Sequence, residues 1–341
     1  MCYNGHSKYK RKDIIMKHIK LAALLLALLL VLPLALSGCG KTESPDTIRV
    51  AALKGPTGMG MAPLMDSAQN GTAKQNYSFT IESAPDAVNA LVINGEVDIA
   101  AVSVNVASVL FNKTQGKVQV AGINTKGVLY LVEAGNTIQS VADLRGKTIY
   151  ASGQGATPEY ILNHVLTQNG LTPGTDVTVE YLSEHAEVIT ALASGTASIG
   201  LLPEPNVTSA LASNDKLRIA VNITEAWDAI ADTTLVQGVI IVNKTFAETY
   251  PDAVETFLEE YAASVEYVNS NPAEASVMIE AAGIIPKAAV AQKAIPTCNI
   301  CLITGDEMKT TLTALYDVLF AANPASIGGP LPADDFYYLG K

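Results

Sequence analysis

Short apolar runs alternate with amphipathic stretches along most of this chain, a pattern of buried strands each followed by a helix. Ile48-Arg49-Val50-Ala51-Ala52-Leu53 has the length and composition of a buried strand. Residues 54–60 read as a glycine-rich loop, and a helix is expected to open near Pro63. Further strands are expected over 77–83 and 97–102, with a helix over 86–93 between them. Alternation of this kind predicts an α/β architecture, a parallel sheet covered by helices on both faces. From Phe246 through Pro251 to Asn269, and on past Pro272, apolar residues recur at helical spacing. The end turns at Ile327-Gly328-Gly329-Pro330-Leu331-Pro332 and closes in Phe336-Tyr337-Tyr338, expected to be a strap on the surface.

The pattern repeats. Thr57-Gly58-Met59-Gly60-Met61-Ala62-Pro63 matches Ser152-Gly153-Gln154-Gly155-Ala156-Thr157-Pro158 as G-x-G-x-x-P, each after a strand and before a helix. Asn89-Ala90-Leu91 with Gly95-Glu96-Val97-Asp98-Ile99 parallels Thr190-Ala191-Leu192 with Gly195-Thr196-Ala197-Ser198-Ile199. Asn105-Val106-Ala107-Ser108 parallels Asn206-Val207-Thr208-Ser209. Three matches in one order, each displaced by about a hundred residues, indicate one lobe design used twice. The expected division is 48–135 plus 227–341 as the first lobe and 136–226 as the second. Crossovers are expected near 133–136 and 220–236.

The start of the chain is an address. Lys17 and Lys20 precede the apolar run 21–32, which ends at Leu36-Ser37-Gly38-Cys39, the order of a secretory signal. The run is shorter than the roughly 20 apolar residues a spanning helix needs. Leu-Ser-Gly-Cys resembles the bacterial lipobox, which implies cleavage after residue 38 and acylation of Cys39, with 39–47 as a tether. Met16-Lys17-His18 makes a start of ordinary length, so translation is expected from Met16 as an alternative to Met1. Removing residues 1–38 leaves 16 basic and 32 acidic side chains, about −16 in charge. That balance argues against nucleic acid and polybasic membrane contacts, leaving lipid as the anchor.

Glycine permits close backbone approach and positive φ, while a helix start presents N–H groups to an anion. The two G-x-G-x-x-P loops fall beyond strand ends, where ligands bind in open α/β sheets. Candidate ligand-binding residues are therefore Thr57, Gly58, Met59, Gly60, Ser103, Asn105, Gly153, Gln154, Gly155, Ala156, Thr157, Glu204 and Trp227. Glu204, in Leu202-Pro203-Glu204-Pro205, could equally brace a hinge; Trp227 could pack beneath the cleft. Met59 would supply an adaptable apolar wall. Nucleotide motifs fail: Val141 stands where a phosphate loop ending at Gly146-Lys147-Thr148 needs glycine, and Pro158 replaces the third dinucleotide glycine. His164 and His185 have no metal spacing and are expected to be solvated. Cys298 and Cys301 are expected to be buried thiols, a local disulfide being the alternative. No metal or cofactor is expected.

These stretches, with Gly95-Glu96-Val97-Asp98-Ile99 and Asp143-Leu144-Arg145-Gly146-Lys147-Thr148-Ile149, resemble the substrate-binding lipoproteins of the nitrate, sulfonate, taurine and thiamine-pyrimidine group. The resemblance implies a type II periplasmic-binding-protein fold, two lobes with a cleft between them and two crossover hinges. It implies a non-enzymatic, monomeric component of an ABC importer on the outer face of the cell membrane, partnered by permease subunits. Ser103 departs from the proline that the group has after this strand. A receptor feeding a sensor and a pyrimidine-forming enzyme are the alternatives; the enzyme's cysteine-rich motif is absent. After residue 38 the arginines are Arg49, Arg145 and Arg218, each at or before a strand start, away from the expected cleft. Phosphate and dicarboxylates usually call for arginine, and sugars for aromatic platforms. The expected solute is thus a monoanionic sulfonate or carboxylate, or a neutral heteroaromatic such as a pyrimidine.

Overall fold

The computed structural model describes residues 44–154, 157–231 and 233–340. The signal, Cys39, the choice between Met1 and Met16, and the candidates Gly155 and Ala156 lie outside the described residues.

The chain begins β1 (Ile48–Leu53), α1 (Pro56–Met59), α2 (Ala62–Gln69), β2 (Tyr77–Glu82), α3 (Pro85–Ile93), β3 (Ile99–Ser103), α4 (Val104–Lys113) and β4 (Val118–Lys126). A second round follows as β5 (Leu129–Ala134), β6 (Thr148–Ser152), α5 (Thr157–Gln168), β7 (Thr178–Leu182), α6 (His185–Ser194), β8 (Ile199–Pro203), α7 (Asn206–Ser213) and β9 (Leu217–Asn222). After α8 (Ile223–Asp228) come β10 (Val236–Asn243), α9 (Lys244–Thr249), α10 (Pro251–Ser270), α11 (Pro272–Ala281), α12 (Ala288–Ala294), β11 (Ile300–Ile303) and α13 (Gly305–Ala322).

Two sheets result, with strand orders β11-β4-β10-β3-β1-β2 and β7-β6-β8-β5-β9. Without β11, the first order reads β2-β1-β3-β10-β4, position for position the same as the second. In each sheet the fourth strand of that order is antiparallel to its neighbours. That strand follows a crossover from the opposite sheet: β5 follows β4, and β10 follows β9 through α8. The duplication read from the sequence is therefore a duplication of topology. Burial repeats too, with residues 101–110 and 201–210 carrying the same pattern position by position. At the ends of α3 and α6 stand Gly95 at φ 70° and Gly195 at φ 77°, the left-handed conformation that closes a helix.

The first crossover is Gly127-Val128, earlier than the 133–136 expected, because β5 hydrogen-bonds within the second sheet. Its Leu-Tyr-Leu-Val run is apolar on both faces, so no local pattern marks the change of sheet. α10 starts with a proline at its first position and buries Ala253, Val254, Phe257, Leu258, Tyr261, Val265 and Val268, a stripe at helical spacing. The C-terminal strap is not superficial. Phe336 is wholly buried, its ring edge-on to Phe111 at 5.1 Å, and Tyr338 N donates to Val120 O. One apolar cluster continues from the first sheet through Trp227 into α5 and β6 of the second.

Candidate ligand cleft

The topology brings the C-terminal strand ends of both sheets to the crossovers. β4 ends at Lys126 and β5 begins at Leu129 opposite Pro203, the end of β8. β9 ends at Asn222, and β10 begins beside the end of β3, Gly238 opposite Ser103. The chain leaving β1, β3, β6 and β8 therefore starts from the crossover side of the two sheets, where the cleft is expected.

On the first sheet, Thr57, Asn124, Thr125 and Gly238 form a buried polar cluster. Asn124 Nδ2 donates to Thr57 O at 2.9 Å, and Thr125 Oγ1 donates to Asn124 Oδ1 at 3.2 Å. A Cβ on Gly238 would lie 2.6 Å from Asn124 Oδ1 and 3.2 Å from Thr57 Oγ1, so only glycine leaves room for these groups. Ser103 lies next to Gly238 in the ladder. The loop after β1 is not open as expected: residues 56–59 form the helical turn α1, with Thr57, Gly58 and Met59 buried. Gly58 N and Met59 N donate to Gly55 O, and Met61 N to Gly58 O, which uses these N–H groups internally. Gly58 and Gly60 are required by packing. A Cβ would stand 2.4 Å from Leu53 O at the first and 2.6 Å from Tyr261 Oη at the second. Met59 is fully buried with its sulfur 3.8 Å from Cys298 Sγ, so it forms core rather than cleft wall.

On the second sheet, Gly153 has φ 79° and Gln154 is exposed. Thr157 opens α5, 4% exposed, its Oγ1 without a hydrogen-bond partner among the described residues. Ser152 Oγ lies 2.5 Å from His185 Nδ1. His185 and His164 are half-buried, not solvated as expected, and burial lowers the pKa of both. Trp227 is wholly buried, donating Nε1–H to Thr233 O at 2.8 Å, with His164 against its ring at 5.0 Å. Its reach is spent in the core. Asn105 turns to the C-terminal strap, Nδ2 donating to Ser326 O.

Both carboxylate oxygens of Glu204 are engaged: Oε1 accepts from Thr297 Oγ1 at 2.7 Å and Oε2 from Thr208 N at 3.1 Å. Tyr130 Oη donates to Thr297 O at 2.9 Å, and burial with the nearby Glu204 charge pushes its pKa up to about 12. Asn299 Nδ2 reaches Gly127 O at 2.6 Å. The segment 297–299 thus holds the first crossover and the end of β8 together. Sequence reasoning did not single out Asn124, Thr125, Gln237, Gly238 or Thr297, and considered Tyr130 only as a possible aromatic platform for a sugar. The available signal was the Asn124-Thr125 pair, fully buried near the end of a mostly apolar strand.

The arginines are committed elsewhere: Arg49 to Asp98 at 2.6 Å, Arg145 to Asp176, and Arg218 to Glu133 at 2.7 Å. Cys298 and Cys301 are free thiols. Among the described residues no group of three or more His, Cys, Asp or Glu side chains could hold a metal ion, and no helix is long and apolar enough to cross a membrane.

A family profile described as "ABC transporter, phosphonate, periplasmic substrate-binding protein" matches residues 59–293. A search of curated protein sequences found no match. Among solved structures, an ABC transporter protein from Parabacteroides distasonis is 25% identical, covering 86% of this chain and 99% of its own, with a TM-score of 0.73. The aliphatic sulphonate-binding protein SsuA of Escherichia coli is 18% identical over 87% of this chain and 94% of its own, with a TM-score of 0.70. SsuA from Xanthomonas axonopodis pv. citri, bound to MOPS, is 18% identical over 85% and 96%, with a TM-score of 0.60. The latter two establish the shared fold. With the family profile spanning well over half its length, the chain belongs to the phosphonate-type periplasmic substrate-binding proteins of ABC transporters, solute binders rather than enzymes.

Proposed function

We propose that this protein captures a small solute between its two lobes outside the cytoplasmic membrane and delivers it to an ABC importer, held there by lipid on Cys39. The carrying observation is the exchanged fourth strand in each sheet, β10 and β5. It joins two equivalent lobes by paired crossovers at the C-terminal ends of their strands, the arrangement on which hinge closure around a ligand depends. The division follows the strands: 48–126 with 236–340 as the first lobe and 129–222 as the second.

The solute we favour is a monoanionic sulfonate or carboxylate, or a neutral heteroaromatic such as a pyrimidine. Arg49, Arg145 and Arg218 sit beside carboxylates at the far strand ends, so the cleft has no arginine fork for a dianion. Polar groups bordering it are hydroxyls and amides: Thr57, Ser103, Asn124, Gln154 and Thr157. The sulfonate binders of similar fold, one with MOPS bound, support a small monoanion, whereas the phosphonate of the family description can carry a second charge that this arrangement of arginines does not serve.

Native mass spectrometry of protein from its own host, followed by calorimetry with the compound recovered, tests this. A small singly charged or neutral solute bound one to one, with compaction in small-angle scattering, is expected. Stoichiometric recovery of a phosphate ester or an oligosaccharide overturns the solute class, and an unchanged radius overturns closure.

A further inference from the structure

Where the second crossover enters the first sheet, the ladder is irregular. Val236 lies opposite Lys126, Gly238 opposite Thr125 and Val239 opposite Ile123, so Gln237 on β10 and then Asn124 on β4 each drop out of the pairing before the register is regained. Gln237 is therefore unpaired in the ladder with β4. Local breaks in a ladder free a residue from its pairing and can re-aim its side chain, and they are frequent beside functional sites. The irregularity here stands at the cleft end of the sheet, beside Gly238 and the Thr57, Asn124 and Thr125 cluster packed on it.

Gln237 Oε1 is buried and has no hydrogen-bond partner among the described residues. Buried amide carbonyls in folded proteins are nearly always matched, because an unmatched one gives up its water without return. Thr157 Oγ1, opening α5, and Thr224 Oγ1, in the second crossover, share this condition. A hydroxyl can donate or accept, so either suits most ligands; an amide carbonyl only accepts. The adjacent cluster offers Gln237 little, since Asn124 Nδ2 is given to Thr57 O and Thr125 Oγ1 to Asn124 Oδ1.

We infer that Gln237 is a specificity-determining residue whose side-chain carbonyl accepts a hydrogen bond from an N–H or O–H group of the solute. The inference rests on the cleft reading proposed above and narrows it. A bare alkylsulfonate or alkylcarboxylate carries acceptors alone and leaves the carbonyl unmatched. An amino-substituted sulfonate or an aminopyrimidine matches it. A site built to receive a donor rejects the analogue that lacks one far more strongly than an apolar wall rejects a missing methylene.

The test uses matched pairs on the full-length lipoprotein in detergent: 2-aminoethanesulfonate against ethanesulfonate, and 4-aminopyrimidine against pyrimidine. Calorimetry should show the amino member of at least one pair binding roughly tenfold tighter or more. Gln237→Met should erase that advantage while leaving the donor-free member unchanged, and Gln237→Glu should keep it, because a carboxylate still accepts. Equal binding within both pairs, an advantage that survives in Gln237→Met, or its loss in Gln237→Glu each overturns the inference. If Gln237→Met does not fold, the wild-type ratio and Gln237→Glu decide. Scattering in the same titrations separates the two levels. Closure on ethanesulfonate or pyrimidine without discrimination removes this role for Gln237 and leaves the proposed function standing, whereas no binding by any of the four compounds removes both.

Discussion

Thr297 Oγ1 donates to Glu204 Oε1 across 2.7 Å, tying the turn after α12 in the first lobe to the end of β8 in the second. Glu204 is 3% exposed and its other oxygen is held by Thr208 N, so the carboxylate leans on Thr297 for its remaining donor. Thr297→Val removes that donor and keeps the shape. A buried acceptor left short of a partner costs about 1–3 kcal/mol, here lost from the contact between the two lobes. The ligand-free variant is expected to show a larger radius of gyration and lower urea resistance than wild type. If neither changes, the hydrogen bond does not hold the lobes.

Gly127 marks the first crossover and has no freedom to carry a side chain. A Cβ there would lie 2.2 Å from Thr224 Oγ1 and 2.8 Å from Leu235 Cδ2, both in the second crossover. Gly127→Ala should therefore push the crossovers apart and destabilise by about 1–3 kcal/mol, the usual range for overpacking. Adding Thr224→Ala removes the nearest obstacle and should restore part of the loss, a coupling expected of residues in contact. Denaturant midpoints of the three variants check this. Additive losses in the double variant would contradict the contact.

The duplication and the α/β class were legible because repeated glycine turns and apolar strands leave local marks: Gly95 and Gly195 close equivalent helices in both copies. The cleft was less legible. A glycine needed for ligand approach looks the same in sequence as Gly58 or Gly60, which are needed to pass Leu53 O and the Tyr261 hydroxyl. Trp227 and Met59 are residues that suit a pocket wall and a core equally, and here the core takes both. Thr297 matters through Glu204, 93 residues away, and Gln237 through strand pairings more than a hundred residues away, relations that no local pattern records.

Arg218 is read as structural, and that is separable from binding. Glu133, 2% exposed, accepts from Thr137 N, Thr137 Oγ1, Ile138 N and Arg218 Nη2. Burial alone would raise its pKa, yet the hydrogen bonds from Thr137, Ile138 and Arg218 outweigh it and hold the carboxyl below its ordinary value. Arg218→Met should cost up to about 3 kcal/mol, less than for a fully buried pair because Arg218 stays 30% exposed. Solute affinity in the folded variant should match wild type. A loss of affinity beyond about threefold would bring Arg218 back into the site.

Lipid attachment is tested by chemistry on the leader. Cys39→Ser removes the thiol that a diacylglyceryl group would occupy, so the variant should accumulate as unprocessed precursor. Two acyl chains suffice for stable anchoring, and wild-type protein should partition with membranes and carry acyl mass on Cys39. Mass spectrometry that finds Cys39 unmodified in membrane-derived protein ends the anchoring proposal.

The half-buried histidines give stability a pH dependence whose sign can be fixed. Burial lowers the pKa of His164 and His185 below the ordinary 6.5, whereas the unfolded chain titrates near that value. Between the two values the unfolded state binds more protons, so stability rises with pH there. The contribution is fully present above about pH 7.5 and is lost as pH falls through 6.5 toward the folded-state values. Glu133 and Asp143, both lowered, act in the same direction at more acidic pH. Their contribution is present above the ordinary carboxylate range and fades as pH drops below about 4.5. Thermal midpoints should be level above about pH 7.5, decline as pH falls through 6.5, and decline again below about 4.5. The double variant His164→Gln with His185→Gln should flatten the first decline and leave the second. If the first decline persists unchanged, the buried imidazoles are not its source, and the Ser152–His185 and His164–Trp227 contacts hold no proton-linked stability.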